Sequence, residues 1–306
     1  MHYVASLKFL MHIAEGQPAR KSITLGIFLT IIAGSAMALM DGISKHLTGF
    51  FDPVQVIWSR YFFHALIVIV YLLTTQSRDI FKTKRPKMQL QRSFALFAAT
   101  FAMYTSLKYL PLADASAMQH MAPVLVTFIS GIFLGERIGI RRYFAVIAAF
   151  CGVLIIAQPG TDFKWAILLP MFTATMLSIF LIQTRALQGH DNAYTTLFYS
   201  TLVGVIVMIV LVPFFWRLPN VYEFLLMCAQ GSLGAIGHLA LIKGFKYATA
   251  SVLSPFLYSQ FLVSLMLSVT LFADPLTTAI GIGGSLIVAS GIYIWKREGS
   301  LAKHQY

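Results

Sequence analysis

Residues 193–214, AYTTLFYSTLVGVIVMIVLVPF, form an uncharged and almost wholly apolar run. At a rise of 1.5 Å per residue, a helix of about 20 residues crosses the roughly 30 Å hydrocarbon core of a bilayer. Polar residues flank the run on both sides, with Asp191-Asn192 before it and Trp216-Arg217 after it. The stretch therefore predicts a transmembrane helix.

The same pattern recurs along all 306 residues, which are 58% hydrophobic and 11% charged with a mean hydropathy of +0.76. Soluble proteins average roughly 45–50% apolar and about 25% charged residues. This composition excludes a disordered chain, a soluble enzyme with a short anchor, and an outer-membrane barrel with its alternating strands. We predict an all-α integral membrane protein with ten transmembrane helices, at about 24–45, 54–75, 93–110, 112–134, 139–157, 163–184, 193–214, 221–242, 250–272 and 276–295.

The basic residues predict the orientation of the chain. If the N-terminus is cytoplasmic, 18 of the 23 Lys and Arg residues lie in cytoplasmic segments, four lie outside, and Arg60 lies within a span. This asymmetry over short loops predicts that both termini are cytoplasmic, in the inner membrane of a bacterium. The net charge of +12 does not predict a nucleic-acid partner, because such proteins gather their basic residues on one exposed face.

The two halves of the chain match each other when they are shifted by 138–140 residues. Lys108-Tyr109 then falls on Lys246-Tyr247, and Asp52 falls on Asp191. Because each half contains five spans, an odd number, the second copy enters the membrane inverted, an arrangement typical of secondary transporters. The predicted units are a cytoplasmic segment at 1–21, five-helix repeats at 22–158 and 162–296, and a cytoplasmic tail at 297–306.

Two segments resemble a known family. They are YLPLADASAMQHMAPVLVTFISGIFLGERIGIRRYFAVIAAFCG at 109–152 and MDGISKHLTGFFDPVQVIWSRYFFH at 40–64. Both are similar to EamA-type repeats of the drug/metabolite transporter superfamily. The resemblance covers essentially the whole chain and implies a ten-span transporter, although Phe272-Ala273-Asp274-Pro275 stands where a Gly-Glu pair is usual.

Polar residues within the spans predict a cavity. An unpaired polar group in hydrocarbon costs several kcal/mol, so polar side chains should face a shared internal space. Their spacing assigns this space to spans 1, 3, 4, 8 and 9, with spans 5 and 10 facing lipid. The candidate binding residues are Thr100, Tyr104, Ser116, Gln119, His120, Gln230, His238, Ser254, Tyr258 and Ser259, and Pro123 and Pro255 are candidate hinges. The alternative for the small residues is tight helix–helix packing.

Asp41, Lys45 and Arg60 are candidate gate or ion-pair residues. Asp41 and Lys45 are four residues apart on one helical face, and Arg60 enters the second span at about the same depth. One interpretation is a structural pair of Asp41 with Lys45 or Arg60. The other is an outer gate, in which Arg60 clamps a substrate carboxylate while Asp41 exchanges partners.

Together these features predict a secondary transporter of a small organic metabolite that works by alternating access. The resemblance permits S-adenosylmethionine, riboflavin or an amino-acid-like solute as the substrate. The chain has no Gly-x-x-x-x-Gly-Lys-[Ser/Thr] loop, which argues against ATP drive, and no His-Glu-x-x-His or paired carboxylates, which argues against an enzyme. An efflux carrier and, with less support, a membrane-embedded enzyme are the alternatives.

The expected partners are the solute and the lipid bilayer. The cysteines lack the spacing of a metal site, so no metal or cofactor is predicted. Because His120 and His238 can titrate near neutral pH, proton coupling is compatible with the sequence. A homodimer is also compatible with it.

Overall fold

The computed structural model describes residues 20–76, 78–122, 124–126, 129, 140–157, 165–248 and 253–303, and this part of the chain is all-helical. Short 3₁₀ segments lie at Arg78–Phe81, Trp165–Ile167, Val212–Phe215 and Ser254–Leu257. The α-helices in the described ranges are α1 Arg20–Leu47, α2 Pro53–Thr75, α3 Pro86–Leu107, α4 Leu112–Gln119, α5 Ile140–Ala157, α6 Leu168–Ala186, α7 Ala193–Leu211, α8 Val221–Tyr247, α9 Tyr258–Leu271 and α10 Thr278–Lys303.

Five described helices are long and apolar enough to cross a membrane. They occupy Ile23–Leu47, Pro53–Thr75, Trp165–Ala186, Ala193–Phe215 and Val221–Tyr247. Shorter apolar helices occupy Phe144–Ile156, Tyr258–Leu271 and Thr278–Tyr293. The prediction of an all-helical, multi-pass membrane protein is therefore confirmed.

Polar side chains cap the first turn of three of the helices. Asp52 accepts a hydrogen bond from the backbone nitrogen of Val54, at 2.9 Å, and Pro53 starts α2. Asn192 caps α7 in the same way, and Asn220 caps α8. Since the first N–H groups of a helix have no intrahelical partner, these caps fix where each helix starts.

Two predicted spans are not continuous α-helices. The span predicted at 112–134 breaks after Gln119, where His120 and Met121 form a turn. A proline at 123 supplies no N–H to the carbonyl of residue 119, which accounts for the break; Pro123 itself lies outside the described residues. The span predicted at 250–272 contains the 3₁₀ segment Ser254–Leu257 before α9 begins at Tyr258.

Helix pairs from the two halves of the chain form the core. The most extensive contacts join α1 to α8, α5 to α10, α3 to α6, and α2 to α8. The α2–α8 contact depends on Gly231, where an added Cβ would lie 2.8 Å from the backbone nitrogen of His64. The α5–α10 contact brings the backbones of Gly152 and Gly283 together. Backbones that meet at glycine pack closely, as expected for membrane helices.

A methyl group at Gly231 should destabilise the protein. We expect Gly231→Ala to cost about 1–3 kcal/mol, as overpacking does, because the neighbouring atoms include backbone of α2. Gly281→Ala is the matched control, since nothing lies within 4 Å of its added Cβ. Thermal unfolding in detergent should show a lower midpoint for the Gly231 variant alone, and equal midpoints would contradict the packing argument.

Candidate functional site

A cavity of about 100 Å³ lies between helices of both halves. Its apolar wall consists of Met, Leu and Ala residues together with Phe180. Its polar lining comes from α1, α2, α3, α4, α6, α8 and α9 and from the turn after α4, and consists of Asp41, Arg60, Thr100, Tyr104, Gln119, His120, Thr173, His238 and Gln260. No described residue of α5 or α10 is part of this lining.

The candidate residues divide into two groups. Five of the predicted binding residues line the cavity, namely Thr100, Tyr104, Gln119, His120 and His238. Asp41 and Arg60 also line it. Outside its lining lie Lys45, Ser116, Gln230, Tyr258 and Ser259. The side chains of Ser254 and Pro255, like Pro123, lie outside the described part of the chain.

Arg60 is the centre of the polar network. Its guanidinium is 2% exposed and donates from Nη1 to Thr100 Oγ1 at 2.9 Å. Its Nη2 lies 3.1 Å from Nε2 of His238, and its Nε lies 3.3 Å from the sulfur of Met40. An arginine can only donate, so Nε2 of His238 accepts and carries no proton. One side chain of α2 thereby joins α1, α3 and α8.

Asp41 does not form either of the proposed ion pairs. Its buried carboxylate accepts a hydrogen bond from Nε2 of Gln260 at 2.9 Å, and no N–O distance within 4.0 Å joins it to Lys45 or Arg60. Lys45 instead donates to the carbonyls of Leu107 and Leu110, both at 2.7 Å. Carbonyls at the C-terminal end of a helix lack intrahelical partners, and these two, at the end of α3 and just beyond it, accept hydrogen bonds from the Lys45 ammonium. The structural-pair interpretation is wrong in this conformation.

His120 lies beside Tyr258 of the second half of the chain. Its Nδ1 lies 2.7 Å from the carbonyl of Ser116, and its ring centroid lies 5.8 Å from that of Tyr258. These two residues are 138 positions apart, which is the shift at which the sequence predicts that the two halves match. The contact places the α4–α9 junction beside the cavity.

The sequence patterns missed three groups. Gln260 was missed because a 3₁₀ turn advances about 120° per residue rather than 100°, so Ser254–Leu257 rotates α9 out of the predicted stripe. Most of the α6 lining, including Leu177 and Phe180, was missed because these residues are apolar and therefore form no polar stripe in the sequence. His64 lies behind His238, with ring centroids 5.6 Å apart, and both of its nitrogens lack hydrogen-bond partners.

A buried network, here called the Gln230 brace, holds α8 against α1 and α2. Gln230 donates from Nε2 to Ser44 Oγ at 3.0 Å and lies 3.4 Å from the carbonyl of Val56. Ser59 donates to its Oε1 at 3.2 Å. Gln230 is completely buried, so these bonds satisfy an amide that has no access to water.

A second network, here called the Arg92 brace, holds α3 against α6 and α7. Arg92 donates from Nε to Thr184 Oγ1 at 2.7 Å and from Nη1 to the carbonyl of Thr196 at 3.0 Å. Gln89 lies beside it and donates to the carboxylate of Asp191 at 2.9 Å. Cavity-lining residues adjoin both braces, because Arg60 and His238 follow the Gln230 brace along α2 and α8, while Phe180 of the cavity wall lies against Arg92.

The family comparison confirms the predicted resemblance to the drug/metabolite transporter superfamily. Residues 24–158 match the EamA-like transporter family. This range corresponds to the first of the two predicted repeats.

Curated relatives match most of the chain. An S-adenosylmethionine uptake transporter of Rickettsia bellii is 23% identical over 277 residues, covering 90% of this chain and 95% of the relative. A riboflavin transporter of Vibrio cholerae is 25% identical, covering 89% and 93%, and a pseudopaline exporter of Pseudomonas aeruginosa is 24% identical, covering 75% and 81%. A crystal structure with a TM-score of 0.61 and 20% identity covers 89% of this chain and 96% of that one, which shows a shared fold.

Removing the amide of the Gln230 brace should lower stability. We expect Gln230→Leu to cost about 1–3 kcal/mol, because the hydroxyls of Ser44 and Ser59 lose a buried partner. Ser232→Ala is the control on the same helix, since Ser232 bonds only to the Cys228 carbonyl of its own turn. The midpoint of thermal unfolding in detergent tests this, and a wild-type midpoint for Gln230→Leu would show that the brace contributes nothing.

Asp191, in the connection between α6 and α7, should make stability depend on pH. Partial burial favours a higher pKa, but donors from Thr83, Lys84 and Gln89 outweigh it, and the pKa falls below its ordinary value of 3.8. Because the folded-state pKa is depressed, the carboxylate stabilises the fold above the unfolded value, and this contribution disappears as the pH falls through the folded pKa. Asp191→Asn should therefore lower the unfolding midpoint at pH 7 and flatten its decline below pH 4. The measurement is the midpoint of thermal unfolding as a function of pH, and parallel curves for the wild-type protein and the Asp191→Asn variant would contradict this expectation.

Proposed function

We propose that the chain is a secondary transporter that carries a small zwitterionic metabolite across the bacterial inner membrane by alternating access. The observation that carries the proposal is the buried cavity that holds a carboxylate, Asp41, and a guanidinium, Arg60, without an ion pair between them. Its relatives are named as transporters of S-adenosylmethionine, riboflavin and pseudopaline, which supports a small organic solute.

Matched interactions support an inverted repeat of five helices. Ser44 and Thr184 are 140 residues apart, and so are Val56 and Thr196, whose backbone carbonyls accept the other bond of each brace. Gln230, which bonds to the first members, lies 138 residues from Arg92, which bonds to the second. The two braces thus correspond to each other: in each, a residue of one half bonds to a hydroxyl and a backbone carbonyl of the other half.

Helix packing has the same symmetry. The α1–α8 contact corresponds to α6–α3, the α2–α8 contact to α7–α3, and the contact of α1 with the 3₁₀ segment Ser254–Leu257 to α6–α4. Under this relation α4 corresponds to the segment before α9, and His120 and Tyr258, which directly follow these two segments, lie beside each other. Substrate sites of inverted-repeat transporters lie near the midplane at the interface of the repeats, and the lining of this cavity by residues of both predicted repeats supports such a site.

The charges favour a solute that carries both signs. Asp41 can exchange its Gln260 partner for an ammonium or sulfonium group, and Arg60 can turn from Thr100 and His238 to a carboxylate. S-adenosylmethionine has all three of these groups, whereas riboflavin has none. Tyr104 and Phe180 line the same space and suit a planar ring. We therefore favour S-adenosylmethionine or a similar amino-acid-like solute.

The size of the cavity supports a conformational cycle. Ligand pockets usually enclose about 300–1,000 Å³, several times the roughly 100 Å³ found here. A metabolite enters only if the surrounding helices separate, and the braces at the two ends of the cavity are the contacts that such a movement loosens. Alternating access follows if the two braces open in turn.

The orientation proposed from the charges places the Arg92 brace on the cytoplasmic side. Arg78, Lys82 and Lys84 lie in the connection from α2 to α3, next to this end of α3. Trp165 and Trp216 are exposed at the other ends of the helices, where tryptophan favours the lipid interface. In this orientation the Gln230 brace lies on the outer side.

Proton coupling follows from the Arg60–His238 contact in this proposal. While Arg60 faces His238, a second positive charge on that imidazole would be repelled. The charged or titratable groups nearby are Asp41, Arg60, His64, Arg92, Tyr104 and His120. When a substrate carboxylate draws Arg60 away, His238 can accept a proton. Solute and proton would then move in the same direction. Export is the second candidate direction, which the pseudopaline exporter favours.

Counterflow in proteoliposomes tests the proposal. Vesicles loaded with unlabelled S-adenosylmethionine should take up labelled S-adenosylmethionine at least about tenfold faster than vesicles loaded with riboflavin. Asp41→Asn should reduce this exchange at least about tenfold, because the substitution removes the charge that binds the cationic group of the solute. Asp79→Asn is the control, since Asp79 is exposed and bonds only to Lys82.

Two results would contradict the proposal. One is the absence of exchange with S-adenosylmethionine, riboflavin and amino acids alike. The other is wild-type exchange by Asp41→Asn at equal amounts of protein. Proton coupling fails separately if an imposed pH gradient does not change uptake.

A further inference from the structure

Arg92 is a buried cation without a compensating anion. Its side chain is 0% exposed, and no described carboxylate oxygen lies within 4.0 Å of it. Its Nη2 has no hydrogen-bond partner. Since a buried charge is strongly disfavoured unless it is paired and fully hydrogen-bonded, this nitrogen calls for an explanation.

The Gln230 brace shows that the charge is not needed for packing. At the equivalent position of the other half, a neutral glutamine makes the corresponding bonds, to a hydroxyl and to a backbone carbonyl. Arg92 makes those bonds with Nε and Nη1. The positive charge and the free Nη2 are what Arg92 has in addition.

A single aromatic ring separates Arg92 from the cavity. The guanidinium carbon lies 4.5 Å from the centroid of the Phe180 ring. Phe180 also lines the cavity and meets His238 edge-on, with centroids 5.9 Å apart. A change of the Phe180 rotamer would therefore expose the Arg92 guanidinium to the cavity. The cation–π contact between Arg92 and Phe180 would be lost, and a ligand could take the place of the ring.

We infer that Arg92 is a second carboxylate-binding residue, which Phe180 covers and which receives the carboxylate of the transported solute at the cytoplasmic end of the cavity. The inference rests on the proposed transport function and extends it. The solute would exchange its carboxylate between Arg60, near α1 and α8, and Nη2 of Arg92, near α6 and α7. Such charge-assisted bonds are about twice as strong as neutral ones.

A binding experiment tests the site without any transport. Phe180→Ala should open Arg92, so that acetate raises the thermal midpoint of the purified protein in nanodiscs while acetamide at equal concentration does not. In the double variant Phe180→Ala/Arg92→Gln, the apparent Kd for acetate should rise at least about tenfold, since the charged donor is lost. The glutamine can keep the brace, as Gln230 does in the other half.

Phe180→Leu provides the same test if the alanine variant does not fold. Equal acetate-dependent shifts with and without Arg92, or equal shifts by acetate and acetamide, would overturn the site. Either result would mean that Arg92 is only part of a brace.

A transport experiment tests the sidedness. In wild-type vesicles, S-adenosylmethionine should compete at least about tenfold better than its decarboxylated analogue from either side, because the analogue lacks the carboxylate. Arg92→Gln should abolish this preference from the cytoplasmic side and leave it intact from the outer side, where Arg60 acts. Loss of the preference on both sides, or on neither, would overturn the inference. If the wild-type protein transports neither compound, the proposed substrate fails, and the acetate titration still decides the site.

Discussion

The high cost of an unpaired polar group in hydrocarbon governs the architecture of this protein. It explains why the described chain is all-helical, since helices satisfy their own backbone. It also explains why side chains such as Lys45 turn to free helix-end carbonyls rather than to a nearby carboxylate. Under the same constraint, Arg60 uses its three nitrogens to connect α2 with three other helices.

The two braces show how one interaction serves two ends of a cavity. Each joins three helices through a hydroxyl and a backbone carbonyl, but one uses an amide and the other a guanidinium. The shared bonds hold helices together, and the difference between the residues gives a positive charge to the Arg92 brace alone of the two. The two braces therefore differ in charge, which suits the proposed solute because it carries a carboxylate.

Local chemistry made much of the fold predictable. Asp52, Asn192 and Asn220 begin helices because a capping side chain acts on backbone groups two or three residues away. Half of the predicted binding residues reach the cavity, and among them Thr100 and Tyr104 do so because a spacing of four residues puts them on one face of α3. The same reasoning failed for Ser259 and Gln260, where a 3₁₀ segment changed the helical phase.

The sequence by itself determined an apolar, multi-span helical protein, and it predicted repeated halves with Asp41 and Arg60 at similar depth, because these follow from composition, periodicity and spacing along one chain. Only the tertiary structure decided the partners. Gln260 bonds to Asp41 across 219 residues, and Phe180 lies between Arg92 and the cavity. Such contacts depend on how helices distant in sequence pack and rotate against each other, and no local pattern of polar and apolar residues specifies that geometry.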